Sequence, residues 1–261
     1  MRIHGGLVFW AALLAACPVF GQPQIGGGTC SSASLSGSYS LTLTGRDVGS
    51  SVTFSKIAEG IGTATFDGQN KVAFSLTNNT NQTYGTPETL SGTYVMQANC
   101  IGTIAIVTGD TAAFSLEAYD EGKNFLLTGQ DGVYSFAGSG AALTATCGAS
   151  QLSGNYAFNG TGFALSAGAV SGVNNISGTL QFDGKSAVSG AWYVAAGAAT
   201  TTDSVSGKFT VTSGCTGSAT VTDSVGNAYT LLYTVTTADG SNFVLSGSNS
   251  TLMFSGNGRT I

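Results

Sequence analysis

Apolar and polar residues alternate along this chain with the period of a β-strand. The segment LSGSYSLTLTG, which begins at Leu35, places Leu, Gly, Tyr, Leu and Leu on one side and only Ser or Thr on the other. A similar alternation, LSGNYAFNG, begins at Leu152. Because successive side chains of a strand point to opposite faces, each segment predicts a half-buried antiparallel strand with one apolar and one hydroxyl-rich face.

The phrase Phe-Asp-Gly occurs twice and predicts two hairpin turns. Asp67-Gly68 and Asp183-Gly184 each stand between alternating apolar runs. Glycine accepts positive φ, and aspartate hydrogen-bonds to the backbone of its own turn. We therefore interpret both aspartates as turn formers rather than as ligands or catalytic carboxylates.

Further short strands follow in each half of the chain, with no helical period. In the first half, the candidates span residues 90–97, 101–108, 112–118, 125–129 and 133–137, with one more near 51–56. Eight or nine short strands per half, separated by turns, predict an all-β fold. Near-consecutive hairpins favour a small up-and-down, lipocalin-like barrel, because closure removes exposed edges. A β-sandwich is the alternative.

The two halves of the chain repeat the same phrases. CSSASLSGSYSL from Cys30 returns as CGASQLSGNYAF from Cys147, and NFLLTG from Asn124 returns as NFVLSG from Asn242. Landmarks along the halves keep separations of 115 to 118 residues. We interpret this as a tandem duplication of a domain large enough to have its own core. The predicted barrels comprise residues 30–145 and 146–261.

The cysteines agree with two similar domains. Four cysteines lie outside the N-terminal segment, and four cysteines permit three different sets of two disulfides. Pairing within each half is the arrangement that keeps the halves equivalent, so we predict the disulfides Cys30–Cys100 and Cys147–Cys215.

The N-terminus has the pattern of an export signal. Arg2 precedes an apolar stretch that ends near Pro18, too short for a permanent membrane anchor. We predict a signal peptide at residues 1–21 and a linker at 22–29. Cleavage before Gln22 is favoured, but the phrase LAAC resembles a lipobox, so lipidation of Cys17 is the alternative and the sole predicted route to a membrane. Either outcome places the chain in the periplasm, on the outer surface or outside the cell.

Composition and charge exclude several classes of function. Charged residues make up 8% of the chain, and the net charge of −5 is scattered without runs, so a nucleic-acid partner is not expected. The single histidine, His4, lies within the export signal. A Ser-His-Asp arrangement or a histidine-bearing zinc site is thereby excluded from the remaining chain. We predict no cofactor and no bound metal.

Carboxylates offer the remaining route to hydrolysis, and buried aromatic residues offer a route to ligand binding. The acidic residues of the first half include Asp110, Glu117, Asp120, Glu121 and Asp131, while the second half offers only Asp223 and Asp239 as partial counterparts. A duplicated acidic site is therefore not visible. We interpret the aromatic residues that follow Ser-Gly pairs, and the tryptophan outside the signal, as core: these are Tyr39, Tyr94, Tyr156, Phe209 and Trp192.

The chain resembles uncharacterised secreted bacterial β-proteins built of one or two similar units. The resemblance rests on the export signal and on four sequence patterns: LSGxY, FDG, SGxY/F followed by C-x-G, and a terminal F-x-G-x-G. The resemblance covers nearly all of residues 30–261 and implies fold and compartment, with no activity. The first half departs at its end, where Ala141 stands in place of Arg259.

Three functions are consistent with these features. A non-catalytic exported monomer, structural or binding a small apolar ligand within a barrel, is the first expectation. A cell-surface adhesin or matrix component that contacts the envelope is the second. A carboxylate-dependent hydrolase is the third.

Overall fold

The computed structural model describes residues 29–47, 56–81, 83–143 and 146–261 of the chain. The predicted signal peptide, Cys17 and the linker up to residue 28 lie outside these residues, as does most of the strand expected near 51–56. The described chain forms sixteen strands in two closed, eight-stranded antiparallel barrels, which confirms the predicted all-β barrel fold.

The first barrel is a meander in which each strand pairs with the next and the last pairs with the first. Its strands are β1 Ser36–Asp47, β2 Ile57–Asp67, β3 Lys71–Thr80, β4 Thr86–Met96, β5 Ile101–Thr108, β6 Ala112–Tyr119, β7 Asn124–Gln130 and β8 Tyr134–Ala141.

The second barrel has the same topology and closes by pairing its first strand with its last. Its strands are β9 Ser153–Ser166, β10 Ala169–Asp183, β11 Ala187–Ala196, β12 Ala199–Val211, β13 Thr216–Asp223, β14 Ala228–Val235, β15 Asn242–Ser248 and β16 Leu252–Thr260.

Each barrel has its own hydrophobic core of inward-facing residues. The end at which β1 or β9 begins is called here the lower end, and the opposite end the upper end. At the lower end of the first barrel, Phe66 packs edge-on against Tyr39, Tyr94 and Phe125, with ring centroids 4.9 to 5.5 Å apart. This arrangement is the one that aromatic quadrupoles favour.

The second barrel repeats this aromatic cluster at the corresponding positions. Phe182 packs edge-on against Tyr156 and Phe209, with centroids 5.5 and 5.0 Å apart, and Tyr156 lies 5.3 Å from Phe243. The Tyr156 hydroxyl donates to the Gly240 carbonyl over 3.0 Å, just as Tyr39 donates to Gly122 over 2.8 Å. The lower ends of both barrels are therefore filled in the same way.

Each barrel carries one disulfide at its lower end, joining Cys30 to Cys100 and Cys147 to Cys215. The pairing is the one that equivalence of the two halves predicts. The bridges link residues 70 and 68 apart in sequence, so each constrains most of its own barrel and leaves the other unconstrained. Two structural disulfides indicate folding in an oxidising environment.

Removal of one disulfide should destabilise its own barrel selectively. The double change Cys30→Ser with Cys100→Ser should lower the free energy of unfolding of the first barrel by about 4 kcal/mol, because the unfolded loop regains its freedom. Urea unfolding followed by the fluorescence of Trp192 in the second barrel, and by hydrogen exchange in both, measures this.

The matched control is Cys147→Ser with Cys215→Ser, which should exchange the roles of the two barrels. Equal destabilisation of both barrels by either pair would contradict separate cores.

Candidate functional site

The upper end of the first barrel contains a cavity of about 180 Å³. Its floor and walls are apolar, with the side chains of Leu43, Leu76, Leu90, Phe114 and Phe136. Its rim is polar, with Asn78, Glu88, Asp110, Asp131 and Tyr134. An apolar chamber with a few polar groups at its mouth is the usual form of a small-molecule site.

Strand register shows what fills the corresponding space in the second barrel. In the first barrel Leu76 of β3 lies opposite Glu88 of β4, and in the second Trp192 of β11 lies opposite Asp203 of β12. Residues directly opposite in an antiparallel pair share a face. Trp192 therefore occupies the place of Leu76.

The next hairpin of each barrel shows a second difference of the same kind. Ala112 of β6 lies opposite Ile106 of β5, and Tyr229 of β14 lies opposite Val221 of β13. Tyr229 therefore takes the place of Ala112. An indole and a phenol ring stand in the second barrel where the first has an isobutyl and a methyl group.

These two large side chains close the upper interior of the second barrel. Trp192 is 1% exposed, and its ring lies 5.0 Å from Tyr229 and 5.9 Å from Phe254, both edge-on. The indole Nε1 has no hydrogen-bond partner among the described residues. Ring packing thus holds Trp192 in place. Barrels of the same topology are thus filled at this level by Trp192 and Tyr229 in the second and hollow in the first.

The rim of the cavity is acidic. The Asn78 amide donates to the Glu88 carboxylate, and the Asp110 carboxylate accepts from the Thr111 amide over 2.7 Å. The Asp131 carboxylate accepts from the amides of Val133 and Tyr134, both over 2.7 Å. Among the described residues that line this cavity, none is a lysine or an arginine. The charged residues of the described cavity lining are therefore all acidic.

Tyr134 lies at the mouth and remains a neutral phenol. Its pKa is raised, first by burial and then by the negative charges of Asp131 and Asp47. It can donate or accept a hydrogen bond at the entrance without adding charge.

The structure places Asp67 and Asp183 in turns between strands. The Asp67 carboxylate accepts from the amides of residues 69, 70 and 71 over 2.8 to 2.9 Å, and Gly68 has φ of +76°. Asp183 and Gly184 repeat the arrangement, with φ of +72°. These backbone hydrogen bonds, led by those of Lys71 and Lys185, hold the pKa of each carboxyl below its usual value.

The acidic residues considered from the sequence lie at several separate places in the structure. Asp110 and Asp131 meet at the cavity mouth. Asp120 and Glu121 lie in a short 3₁₀ turn at the lower end, and Glu117 projects from β6. In the second barrel, Asp223 and Asp239 accept hydrogen bonds within their own turns. Within the described ranges, no group of three or more His, Cys, Asp or Glu side chains is arranged to hold a metal ion.

The aromatic residues assigned to the core from sequence are buried. They are Tyr39, Tyr94, Tyr156, Phe209 and Trp192, each at most 2% exposed.

The outer faces of the two barrels contact each other along β2. Ile57 packs with Phe163, Leu165 and Met253 of the second barrel in a small buried cluster. The Thr234 hydroxyl donates to the Gly62 carbonyl over 3.4 Å. Strand β2 also contacts β14 and β15. The barrels therefore have separate cores but share a buried interface.

A carboxylate is buried within this interface. Glu59 of β2 is 1% exposed, and its Oε2 accepts from the Ser246 hydroxyl over 2.6 Å. Ser246 in turn accepts from the Asn79 amide over 3.0 Å. Glu59 Oε1 has no hydrogen-bond partner among the described residues. Burial raises the pKa of Glu59 to about 7, against the smaller lowering effects of the Ser246 and Ser255 hydroxyls.

Sequence reasoning did not single out Glu59, Glu88 or Tyr134. A signal for Glu59 exists in the alternation of β2, where it lies between Ile57 and Ile61 on one face. A carboxylate between two large aliphatic residues on a nominally outward face suggests a covered face. The positions of Glu88 and Tyr134 at one mouth depend on strand pairing that local patterns do not reveal.

No protein-family model matches the chain, and no curated protein matches it. One solved structure with some likeness is a DUF3598-family protein of unknown function from Nostoc punctiforme. It is 7% identical over 87% of this chain and 97% of that chain, with a TM-score of 0.29.

Within the part of the chain that the structure describes, no helix has the length and apolar character needed to cross a membrane.

The buried carboxyl of Glu59 should make stability depend on pH. Its pKa is raised from 4.5 to about 7, so the stability it contributes is fully present below about pH 4.5 and is lost as pH rises through about 7. The change Glu59→Gln should remove this loss, which corresponds to about 3 kcal/mol. Urea unfolding should be measured at about pH 5 and about pH 8. Between these two pH values the free energy of unfolding should fall for the native protein by more than for the variant.

The rim residue Glu88 provides the control, since Glu88→Gln should leave this pH dependence unchanged. Equal pH profiles for the native protein and the Glu59→Gln variant would contradict the buried ionisation.

Proposed function

We propose that the protein is exported and that its first barrel binds a small, predominantly apolar molecule without catalysing a reaction. The observation that carries this proposal is the cavity of about 180 Å³. An apolar cavity of roughly 150 Å³ in a protein core accepts benzene. The first barrel thus has room for a ligand with about one aromatic ring.

Comparison of the two barrels supports a functional origin for the cavity. Trp192 and Tyr229 show that this interior can be filled by side chains. Empty apolar space in a core costs stability, because the lining atoms lose packing partners. A cavity kept in one of two similar barrels is therefore consistent with ligand binding there and with a structural role for the second barrel.

The acidic rim favours neutral or positively charged ligands. A ligand with a carboxylate would meet Glu88, Asp110 and Asp131 as it entered. Like charges raise its free energy in the mouth, whereas an amine would be attracted. The proposed ligand class is therefore a small aromatic or aliphatic molecule, neutral or bearing an amine, and not a fatty acid.

Compartment and assembly follow from the same proposal. The predicted signal peptide and the two disulfides support export to the periplasm or the exterior, with lipidation at Cys17 as the alternative. We expect a monomer, since the duplicated barrels already cover part of each other's outer face.

A cell-surface adhesin or matrix component is the second candidate, supported by exposed hydroxyl rows such as Thr200, Thr202 and Ser204 on β12. Retention of the protein on isolated cell envelopes or polysaccharides would support this function. Absence of retention on both would oppose it.

Filling the cavity should abolish ligand binding. Toluene and benzylamine should bind the native protein and benzoate should not, as measured by calorimetry and by ligand-observed NMR. The double change Leu76→Trp with Ala112→Tyr, which introduces the two rings that the second barrel has at these positions, should weaken toluene binding by at least about tenfold, because the rings occupy the space.

Val107→Trp is the matched control. It adds an indole on the outer face of β5, where the Val107 side chain is 70% exposed. It should bind toluene as the native protein does. The proposal would be overturned if the native protein bound neither toluene nor benzylamine. It would also be overturned if the variant with Leu76→Trp and Ala112→Tyr bound toluene as the native protein does.

A further inference from the structure

We propose that the crevice around Glu59, between the outer faces of the two barrels, binds a small monovalent cation. The crevice has a volume of about 280 Å³. Hydroxyl groups from both barrels line it, including those of Thr42, Thr44, Thr161 and Ser255. Glu59 supplies the carboxylate among these hydroxyls.

The hydrogen bonds around Glu59 leave one oxygen open. Ser246 accepts the Asn79 amide hydrogen, so its own hydroxyl hydrogen is available to Glu59 Oε2. Asn79 is itself held, because its side-chain oxygen accepts from the Gly85 amide over 2.9 Å. This chain fixes Oε2, while Oε1 has no partner at hydrogen-bond distance among the described residues; the Ser255 hydroxyl, which also lowers the pKa of Glu59, lines the same crevice.

The lining offers no positive charge to balance the carboxylate. No lysine, arginine or histidine is among the described residues that line this crevice. Arg46 and Asp47 line an adjoining crevice, and the Arg46 guanidinium lies 5.9 Å from the centre of the Phe163 ring. Water can donate a hydrogen bond to Oε1, but above the pKa of Glu59, where the carboxylate is ionised, a cation also offsets its buried charge.

The donor set indicates the class of cation. One carboxylate and several hydroxyls are hard, mostly neutral oxygen ligands, and Ca²⁺ sites usually gather more carboxylates than this. The required chemistry is a single positive charge that can contact several oxygen atoms directly. Sodium and potassium do this by coordination, and ammonium and primary alkylammonium ions do it by donating N–H hydrogen bonds. The proposal is independent of ligand binding in the first barrel.

Thermal unfolding in different chloride salts at constant ionic strength tests the proposal. At about pH 8.5, where Glu59 is ionised, sodium, potassium, ammonium or methylammonium should raise the unfolding midpoint relative to tetramethylammonium. Tetramethylammonium carries the same charge but offers no direct coordination and no N–H donor. Comparison of the four active salts distinguishes a metal-ion site from an ammonium site.

The variant Glu59→Gln should show equal midpoints in all five salts. Glu88→Gln at the mouth of the first barrel is the matched control and should retain the native salt dependence. Equal midpoints for the native protein in all salts would show that water alone occupies the crevice and would overturn the proposal. The proposal would also be overturned if the Glu59→Gln variant kept the full dependence of its unfolding midpoint on the cation.

A second measurement keeps the test valid if Glu59→Gln folds poorly. At about pH 6, the best-binding cation should release close to one proton on binding, because it selects the ionised form of Glu59. Calorimetry in two buffers with different ionisation enthalpies measures this release. Binding with no proton release at about pH 6 would contradict the assignment to Glu59.

Discussion

Closure of each eight-stranded meander is the constraint on which the rest of this structure depends. Pairing of β1 with β8 and of β9 with β16 satisfies the backbone around both barrels and removes sheet edges. The number of strands then fixes the width of the interior, so the inward side chains alone decide whether it is full or hollow. Both lower ends are full because both carry the same four-ring cluster. The upper ends differ in their inward residues: Leu76 and Ala112 stand in place of Trp192 and Tyr229, and Phe74 and Phe114 stand in place of Gly190 and Leu231.

Much of this architecture could be predicted from the sequence because the signals are local or repeated. The alternation from Leu35 predicts which residues of β1 face inward, and the Asp-Gly pairs locate hairpins. Gly62 shows why register is less visible, since a Cβ there would lie 1.9 Å from the Ser75 carbonyl oxygen. Such close approaches between strands help to set pairing, but a glycine in a single sequence does not reveal its neighbour. The cavity has the same difficulty, because Leu76, Ala112 and Phe136 come from three separate strands.

Glu59 illustrates a different limit of sequence reasoning. Alternation along β2 places it on the outer face, and an outward glutamate of an isolated barrel is expected to be exposed. The structure buries it because a second barrel covers that face, with Ile57 packed against Phe163 nearby. The repeated sequence phrases predict two similar barrels but not which outer surfaces meet. A charge buried at such an interface costs free energy unless it is protonated or compensated, which gives the carboxyl its raised pKa.

The two proposed sites share a wall. Ala58 and Gly60 of β2 line the cavity, while Glu59 between them faces the crevice. On β1, Leu43 lines the cavity, and Thr42 and Thr44 line the crevice. Successive side chains of a strand point to opposite faces, so a shift of either strand alters both sites at once. Any effect of cavity occupancy on the affinity of the crevice must be matched by an equal effect in the reverse direction, because coupling between binding sites is reciprocal. The second barrel thus supports the first from outside, at the strands that enclose its hollow end.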